Sequence, residues 1–227
     1  MRKALLNSLP DTYRCADKRC IIVGAGDLGD PSIDIGPGDY VIAADGGYRY
    51  LCERGLRCDL LMGDLDSFPA GTEIPEHTQR FSPIKDDTDT MLAVKHALSL
   101  GYRHFLLYGM FGGRLDHSVG GLQTVLYICM QGGCAFAFEA TQDGAHASYV
   151  TAVKNGTLVF PPTSEGYLSL FALNGDAEDV TLRGLKYPLS HAVIPAASTL
   201  GVSNEFVPGT EGSVSVGNGT LLVVKSV

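Results

Sequence analysis

The chain has 227 residues, with 17 Lys+Arg against 25 Asp+Glu and a net charge of −8. Hydrophobic residues make up 45% and charged residues 19%, enough apolar side chain for a sizeable core, which argues against disorder. An acidic chain lacks the basic footprint that nucleic-acid or anionic-membrane binding needs, so neither is an expected partner. If it handles an anionic ligand, metal ions or local dipoles must offset the charge. No run approaches the roughly 18 apolar residues of a membrane span. The apolar part of Met1-Arg2-Lys3-Ala4-Leu5-Leu6-Asn7 is too short for a signal peptide, so the expected location is cytoplasmic. The six cysteines (Cys15, Cys20, Cys52, Cys58, Cys129 and Cys134) lack the C-x2-C knuckles of zinc sites. Several are expected to be small buried hydrophobes.

Taken in chain order, four short apolar runs stop at Gly or Asp. Cys20-Ile21-Ile22-Val23 runs into Gly24, and Tyr40-Val41-Ile42-Ala43-Ala44 into Asp45-Gly46-Gly47. Leu60-Leu61-Met62 runs into Gly63, and Phe105-Leu106-Leu107-Tyr108 into Gly109. Continuous apolar strands of this length belong to a parallel sheet buried on both faces. The spacers leave room for crossover helices. Residues 89–100 place Met91, Leu92, Val94 and Leu98 at helical spacing, closed by Gly101, and a second helix is expected over 118–130, ended by Gly132-Gly133. From about Ala145 the helical period disappears. Alternating stretches at 158–160, 167–170, 180–182, 213–216 and 221–224 are punctuated by Asn155-Gly156, Asn174-Gly175 and Asn218-Gly219, dipeptides that favour hairpins. The expected architecture is α/β. A doubly wound, mostly parallel sheet domain spans 1–144, and an all-β domain, a sandwich or small barrel on pattern alone, spans 145–227.

In an open α/β sheet, ligands bind beyond the carboxyl ends of the strands. Those ends carry Asp45-Gly46-Gly47, Gly63-Asp64-Leu65-Asp66-Ser67 and Gly109-Met110-Phe111-Gly112-Gly113-Arg114. Glycine there lets backbone approach a ligand closely and present N–H groups to phosphate. Asp64 and Asp66, two apart after a strand, share one side in extended geometry. Asp86 and Asp89, three apart at a helix start, share one helical face. Four carboxylates converging in this way need a divalent cation between them, and hard oxygen donors suit Mg²⁺. Singly, each aspartate has a plainer reading, with Asp86 or Asp87 as a helix N-cap and Asp66 as a turn residue. Arg114 offers positive charge to a phosphate, unless it lies on a solvated helix face. His117 is either a base or a structural histidine. The third glycine of Gly24-Ala25-Gly26-Asp27-Leu28-Gly29 falls one position early for a dinucleotide fingerprint.

The series Ala44-Asp45-Gly46-Gly47, Gly63-Asp64-Leu65-Asp66-Ser67, Lys85-Asp86-Asp87-Thr88-Asp89 and Gly113-Arg114-Leu115-Asp116-His117 resembles the thiamine pyrophosphokinase (thiamine diphosphokinase) family in order and spacing. Gly184-Leu185-Lys186-Tyr187-Pro188-Leu189 and Gly201-Val202-Ser203-Asn204-Glu205-Phe206 resemble its C-terminal domain, so the likeness runs over about 21–224. The resemblance implies ATP-dependent transfer of a pyrophosphoryl group to thiamine, giving thiamine diphosphate and AMP. It implies an α/β ATP-binding domain joined to a β-sandwich, in a homodimer whose thiamine pocket lies between subunits. Carried over by position, Asp64, Asp66, Asp86 and Asp89 take the catalytic and metal-binding places, with Mg²⁺ as the metal. Asp45, Gly46 and Gly47 take the nucleotide-side loop. Gly113, Arg114, Asp116 and His117 take the phosphate side, Arg114 also as a catalytic residue, and Ser203 and Asn204 take the thiamine pocket.

The chain departs from the family pattern at three places. Ser118-Val119-Gly120-Gly121 replaces a helix start that commonly holds Asn, so a contact at Gly121 is lost or made by backbone. Cys58 stands where Pro is common. With no Trp in the chain, aromatic stacking on thiamine falls to Phe or Tyr, and Phe206 is a candidate that equally suits the core. The same aspartates would also serve a metal-dependent phosphohydrolase, and a non-catalytic nucleotide or thiamine sensor is a third reading. Which carboxylate takes the hydroxyl proton stays open.

Overall fold

Apolar on both faces, the first strands are buried on both. In the computed structural model, residues 9–10, 18–29, 33–64, 74–82, 86–141 and 146–227 are described. β1 (Arg19–Val23), β2 (Tyr40–Ala44), β3 (Leu60–Gly63), β4 (Thr78–Arg80), β5 (His104–Tyr108) and β6 (Cys134–Ala140) lie parallel in the order β4-β3-β2-β1-β5-β6. Within β1, Ile21 and Val23 join one core and Cys20 and Ile22 the other, as a doubly covered strand requires.

Three helices lie among the described residues: α1 (Gly47–Glu53), α2 (Asp89–Ser99) and α3 (Leu115–Met130). α2 starts where Thr88, in extended conformation, accepts a hydrogen bond from the Met91 amide at 3.2 Å, so Thr88 rather than Asp86 or Asp87 is the N-cap. It buries Ala93, Val94 and Ala97, and Gly101 follows at φ +90°. α3 begins three residues before the expected start, because Arg114 is the extended residue that opens it and Asp116 sits in its first turn, favourable to the helix dipole. α2 and α3 cover one face of the sheet. α1, through Leu51, covers part of the other.

The strands after residue 145 do not stand apart from the first half. β7 (Ala147–Lys154) pairs antiparallel with β6, and the sheet continues through β14 (Thr220–Ser226), β9 (Tyr167–Phe171) and β12 (Asn204–Glu205), ten strands in all. A second, antiparallel sheet, β11 (Leu189–Ile194), β10 (Ala177–Arg183), β13 (Gly212–Ser215) and β8 (Thr157–Phe160), shares a core with it. Leu158, Phe160, Val180, Leu182 and Val214 from the small sheet join Leu168, Leu170, Leu221 and Val223 from the large one.

The three Asn-Gly pairs correct a reading of the pattern. Each was expected to close a hairpin, yet each carries the chain from one sheet to the other: Asn155-Gly156 from β7 to β8, Asn174-Gly175 from β9 to β10, and Asn218-Gly219 from β13 to β14. The positive φ of Asn155 (46°), Gly175 (129°) and Gly219 (112°) serves a corner between layers as well as it serves a tight turn. Two of the corners are tied together, the Gly219 amide donating to Asn155 Oδ1 at 2.9 Å.

Candidate active site

Strand order reverses between β1 and β5, since the chain adds β2, β3 and β4 on one side of β1 and then β5 and β6 on the other. A crevice at such a switch point is where an open sheet receives a ligand. Here the two loops beyond it are bonded to each other. The amides of Gly24, Gly26 and Asp27 donate to the carbonyls of Tyr108, Gly109 and Phe111 at 2.8, 2.9 and 2.8 Å. Only glycine permits that approach: a Cβ on Gly24 would lie 2.7 Å from the Gly109 oxygen, and one on Gly112 would lie 2.6 Å from Asp27 Cβ. Gly24 and Gly26 are therefore explained by backbone contact, without a dinucleotide.

The neighbouring strand ends close up in the same way. A Cβ on Gly46 would lie 3.1 Å from Ala25 Cβ, and one on Gly63 would lie 3.0 Å from Asp45 Cα. Asp45 adopts φ +48°, uncommon for a residue with a side chain, and its amide donates to the Met62 carbonyl at 2.8 Å. The loops after β5, β1, β2 and β3 thus touch in sequence along one edge. The first turn of α2 reaches the same edge, with Thr90 Oγ1 3.4 Å from the place of a Gly24 Cβ.

This edge collects most of the residues singled out in the sequence. Asp45, Gly46 and Gly47 follow β2, Asp64 follows β3, Asp86 precedes α2 and Asp89 opens it, and Gly113, Arg114, Asp116 and His117 lie at the start of α3. Asp66 lies outside the described residues. Among those described, no three His, Cys, Asp or Glu side chains meet closely enough to hold an ion. As hard oxygen donors on one edge, Asp64, Asp86 and Asp89 have the chemistry that suits Mg²⁺. Asp87 is turned elsewhere, accepting from Lys95 Nζ at 2.6 Å. Arg114 closes on Asp116 through two bonds, Nε to Oδ1 at 3.1 Å and Nη2 to Oδ2 at 2.6 Å. That pairing raises the guanidinium above its ordinary range and holds the Asp116 carboxyl below its own. Both side chains, like His117, face solvent.

Gly121 is buried, and a Cβ there would lie 2.9 Å from the Met110 carbonyl and 3.3 Å from the Phe111 ring. The helix approaches the 109–113 loop too closely for any side chain at this position.

Ser203 and Asn204 lie at the far edge of the large sheet. Ser203 takes φ +58°, and its amide donates to Ser169 Oγ at 3.0 Å. Asn204 is 3% exposed, and its amide is committed: Nδ2 donates to the Tyr187 carbonyl at 2.7 Å, while Oδ1 accepts from the amides of Tyr187 (3.0 Å) and Glu205 (2.9 Å). This clamp fixes the backbone of Tyr187, a residue left 58% exposed. In sequence Tyr187 stands within the 184–189 stretch that resembles the family's C-terminal domain but carries no role of its own, because the pairing that holds it spans 17 residues. Phe206 packs edge-on against Phe160 in the core.

A sheet with contacting glycine loops at its switch point, carboxylates on the adjoining strand ends and an arginine opening the next helix defines an α/β protein of the ligand-at-the-strand-ends class. The catalytic-domain description of thiamin pyrophosphokinase matches residues 37–136, and its vitamin B1 binding domain matches 157–221. The thiamine pyrophosphokinase of Bacillus subtilis is 28% identical over 204 residues, 82% of this chain and 86% of that one. The crystal structure of a thiamin pyrophosphokinase from Geobacillus thermodenitrificans superposes with a TM-score of 0.76 at 27% identity, covering 92% of this chain and 97% of that one. A thiamin pyrophosphokinase family protein from Enterococcus faecalis gives 0.77 at 26% identity, over 92% and 99%. The chain belongs to the thiamin pyrophosphokinase family.

Proposed function

We propose that the chain transfers the pyrophosphoryl group of ATP to the primary hydroxyl of thiamine, giving thiamine diphosphate and AMP. This reading is supported by the glycine loops that touch at the strand ends of a family member, with Asp64 following one of those strands, Asp86 and Asp89 at the start of α2 and Arg114 opening α3. The thiamine oxygen attacks the β-phosphorus, the bond from the β-phosphorus to the α–β bridging oxygen breaks, and AMP leaves with that oxygen. The hydroxyl proton passes to one of the aspartates or to solvent. Asp64, Asp86 and Asp89, joined by Asp66, would hold Mg²⁺, which when bound neutralises phosphate charge and aligns the reacting oxygens. Arg114 exchanges Asp116 for phosphate oxygens, a bidentate partner of the same geometry. Asp45, Gly46 and Gly47 line the nucleotide side, and Gly113, Asp116 and His117 the phosphate side.

Ser203 and Tyr187, the latter held by Asn204, form the thiamine side; the Tyr187 ring, over which Lys186 Nζ lies at 5.6 Å, would take the cationic thiazolium in place of that amine. β12 and β3 stand eight interstrand steps apart, about 38 Å at ~4.8 Å per step, too far for one chain to complete a site. In our reading two chains pair, each lending its thiamine side to the other's phosphate side. Exposed apolar side chains at both places fit such a contact: Tyr167, Tyr187, Leu200 and Val202 near β12, and Leu115 (79% exposed) and Val119 beside Arg114. On this reading residues 1–144 form the ATP-binding α/β domain and residues 145–227 the thiamine-binding sandwich. No helix among the described residues is long and apolar enough to cross a membrane, which is compatible with a cytoplasmic site of action.

The test is product analysis with ATP and Mg²⁺, with and without thiamine. AMP and thiamine diphosphate should appear in equal amounts and only with thiamine. Nucleotide breakdown indifferent to thiamine would contradict the reading and point to a phosphohydrolase.

A further inference from the structure

One side chain breaks the rules of the core it occupies. Lys225, on β14, is 0% exposed, and its Nζ has no hydrogen-bond partner among the described residues. It shares the core-facing side of β14 with Leu221 and Val223, and its amine lies 5.8 Å from the centre of the Phe206 ring. Its direct cross-strand neighbours are Tyr149 on β7 and Leu168 on β9, and Leu168 in turn pairs with Asn204. Phe206 bridges to Leu185, so it ties together the two segments that the Asn204–Tyr187 clamp joins. Lys225 therefore bears on the clamp from two directions, through the sheet and through a ring.

A buried ammonium without an acceptor costs stability, and an apolar side chain of the same length would cost none. Positions that violate local rules in this way are where function is to be sought. We propose that Lys225 is a positioning residue for thiamine: its buried ammonium holds the Phe206 ring and, through it, the Asn204–Tyr187 surface. The inference rests on the reading of that surface as the thiamine side. Burial pushes the amine down to about 8, with Glu165 in the turn before β9 acting in the opposite sense. Tyr149 is the titratable side chain beside it on β7. The β9 neighbour Leu168 and the Phe206 ring do not ionise. The ring contact is lost as the amine deprotonates, so thiamine use should weaken as the pH passes 8.

The experiment compares wild type with Lys225→Met. The folded amine titrates lower than the unfolded one, so its penalty is present at neutral pH and disappears as the pH rises toward the unfolded value. At pH 7 the Met variant should melt higher by about 5 °C and yet show a thiamine KM raised about five-fold, with the ATP KM unchanged. The ratio of the two thiamine KM values, which cancels the substrate's own titration, should fall toward one above pH 8. A role in packing alone would move stability and activity together. An unchanged thiamine KM, or a variant less stable than wild type, overturns the proposal. If Lys225→Met does not fold, Phe206→Leu should reproduce the thiamine KM increase. Lysine ¹³C resonances read the amine directly, and a midpoint near 10 would also overturn it. Tyr187→Ala tells the two failures apart, since an unchanged thiamine KM there removes the thiamine side itself.

Discussion

Gly109→Ala tests whether the strand-end loops are held by backbone contact. Gly109 sits at φ +65°, and a Cβ there would overlap the Gly24 carbonyl oxygen. Placing Ala in the left-handed region costs about 1 kcal/mol. Relieving the overlap separates the loops and weakens the Gly24–Tyr108 and Gly26–Gly109 hydrogen bonds, at about 1 kcal/mol each. The sum is about 3 kcal/mol, a fall in Tm of roughly 6–12 °C for a chain of this size. Gly113→Ala is the control. Gly113 has nearly the same backbone angle, φ +67°, but its Cβ direction is open, so only the conformational cost applies, about 1 kcal/mol and roughly 3 °C. Thermal unfolding read alongside kcat separates the two. Gly109→Ala should also lose activity about a hundred-fold, because a shift of about 1 Å at the phosphate edge is enough to do so. Equal Tm values for the two variants would refute the contact argument.

Other outcomes follow from individual side chains. Arg114→Ala should leave Tm within about a degree, because its pair with Asp116 is exposed, while kcat falls about a hundred-fold or more; an unchanged kcat would remove Arg114 from the chemistry. Gly121→Asn should destabilise by about 1–3 kcal/mol in a melting experiment, since Met110 backbone stands in the way. Asp39 is pushed up by burial but pulled further down by the Arg19 guanidinium, the Gly36 amide and Arg57, so its carboxyl titrates below the ordinary value of 3.8. A depressed carboxyl stabilises above its unfolded value and loses that contribution as the pH falls through the folded one. Asp39→Asn should therefore cost about 2 kcal/mol at pH 7, and the gap from wild type should narrow below pH ~4.

The first half of the fold was legible because burial on both faces leaves a continuous apolar run in β1, β2, β3 and β5. β4 was not, since Thr78-Gln79-Arg80 is a polar edge strand with no pattern of its own. The Asn-Gly pairs were seen but misassigned, because positive φ marks a corner without saying whether the next strand joins the same sheet. For the same reason the antiparallel continuation of the large sheet through β7 and β14 could not be read from alternation alone. Asp45, Asp64, Asp86, Asp89 and Arg114 were legible as strand-end or helix-start residues, because those are local features. Tyr187 and Lys225 were not, since a clamp from Asn204 and a buried amine over Phe206 are made by residues far away in sequence.

The most direct test of a site shared between chains is subunit complementation. Asp89→Asn disables the phosphate side and Tyr187→Ala the thiamine side, and each variant alone should be nearly inactive. If sites are completed across a pair, random mixing of equal amounts makes half the pairs mixed, each with one intact site, restoring about a quarter of wild-type activity. Activity no greater than the average of the two separate variants would contradict the shared site and require thiamine to bind within a single chain.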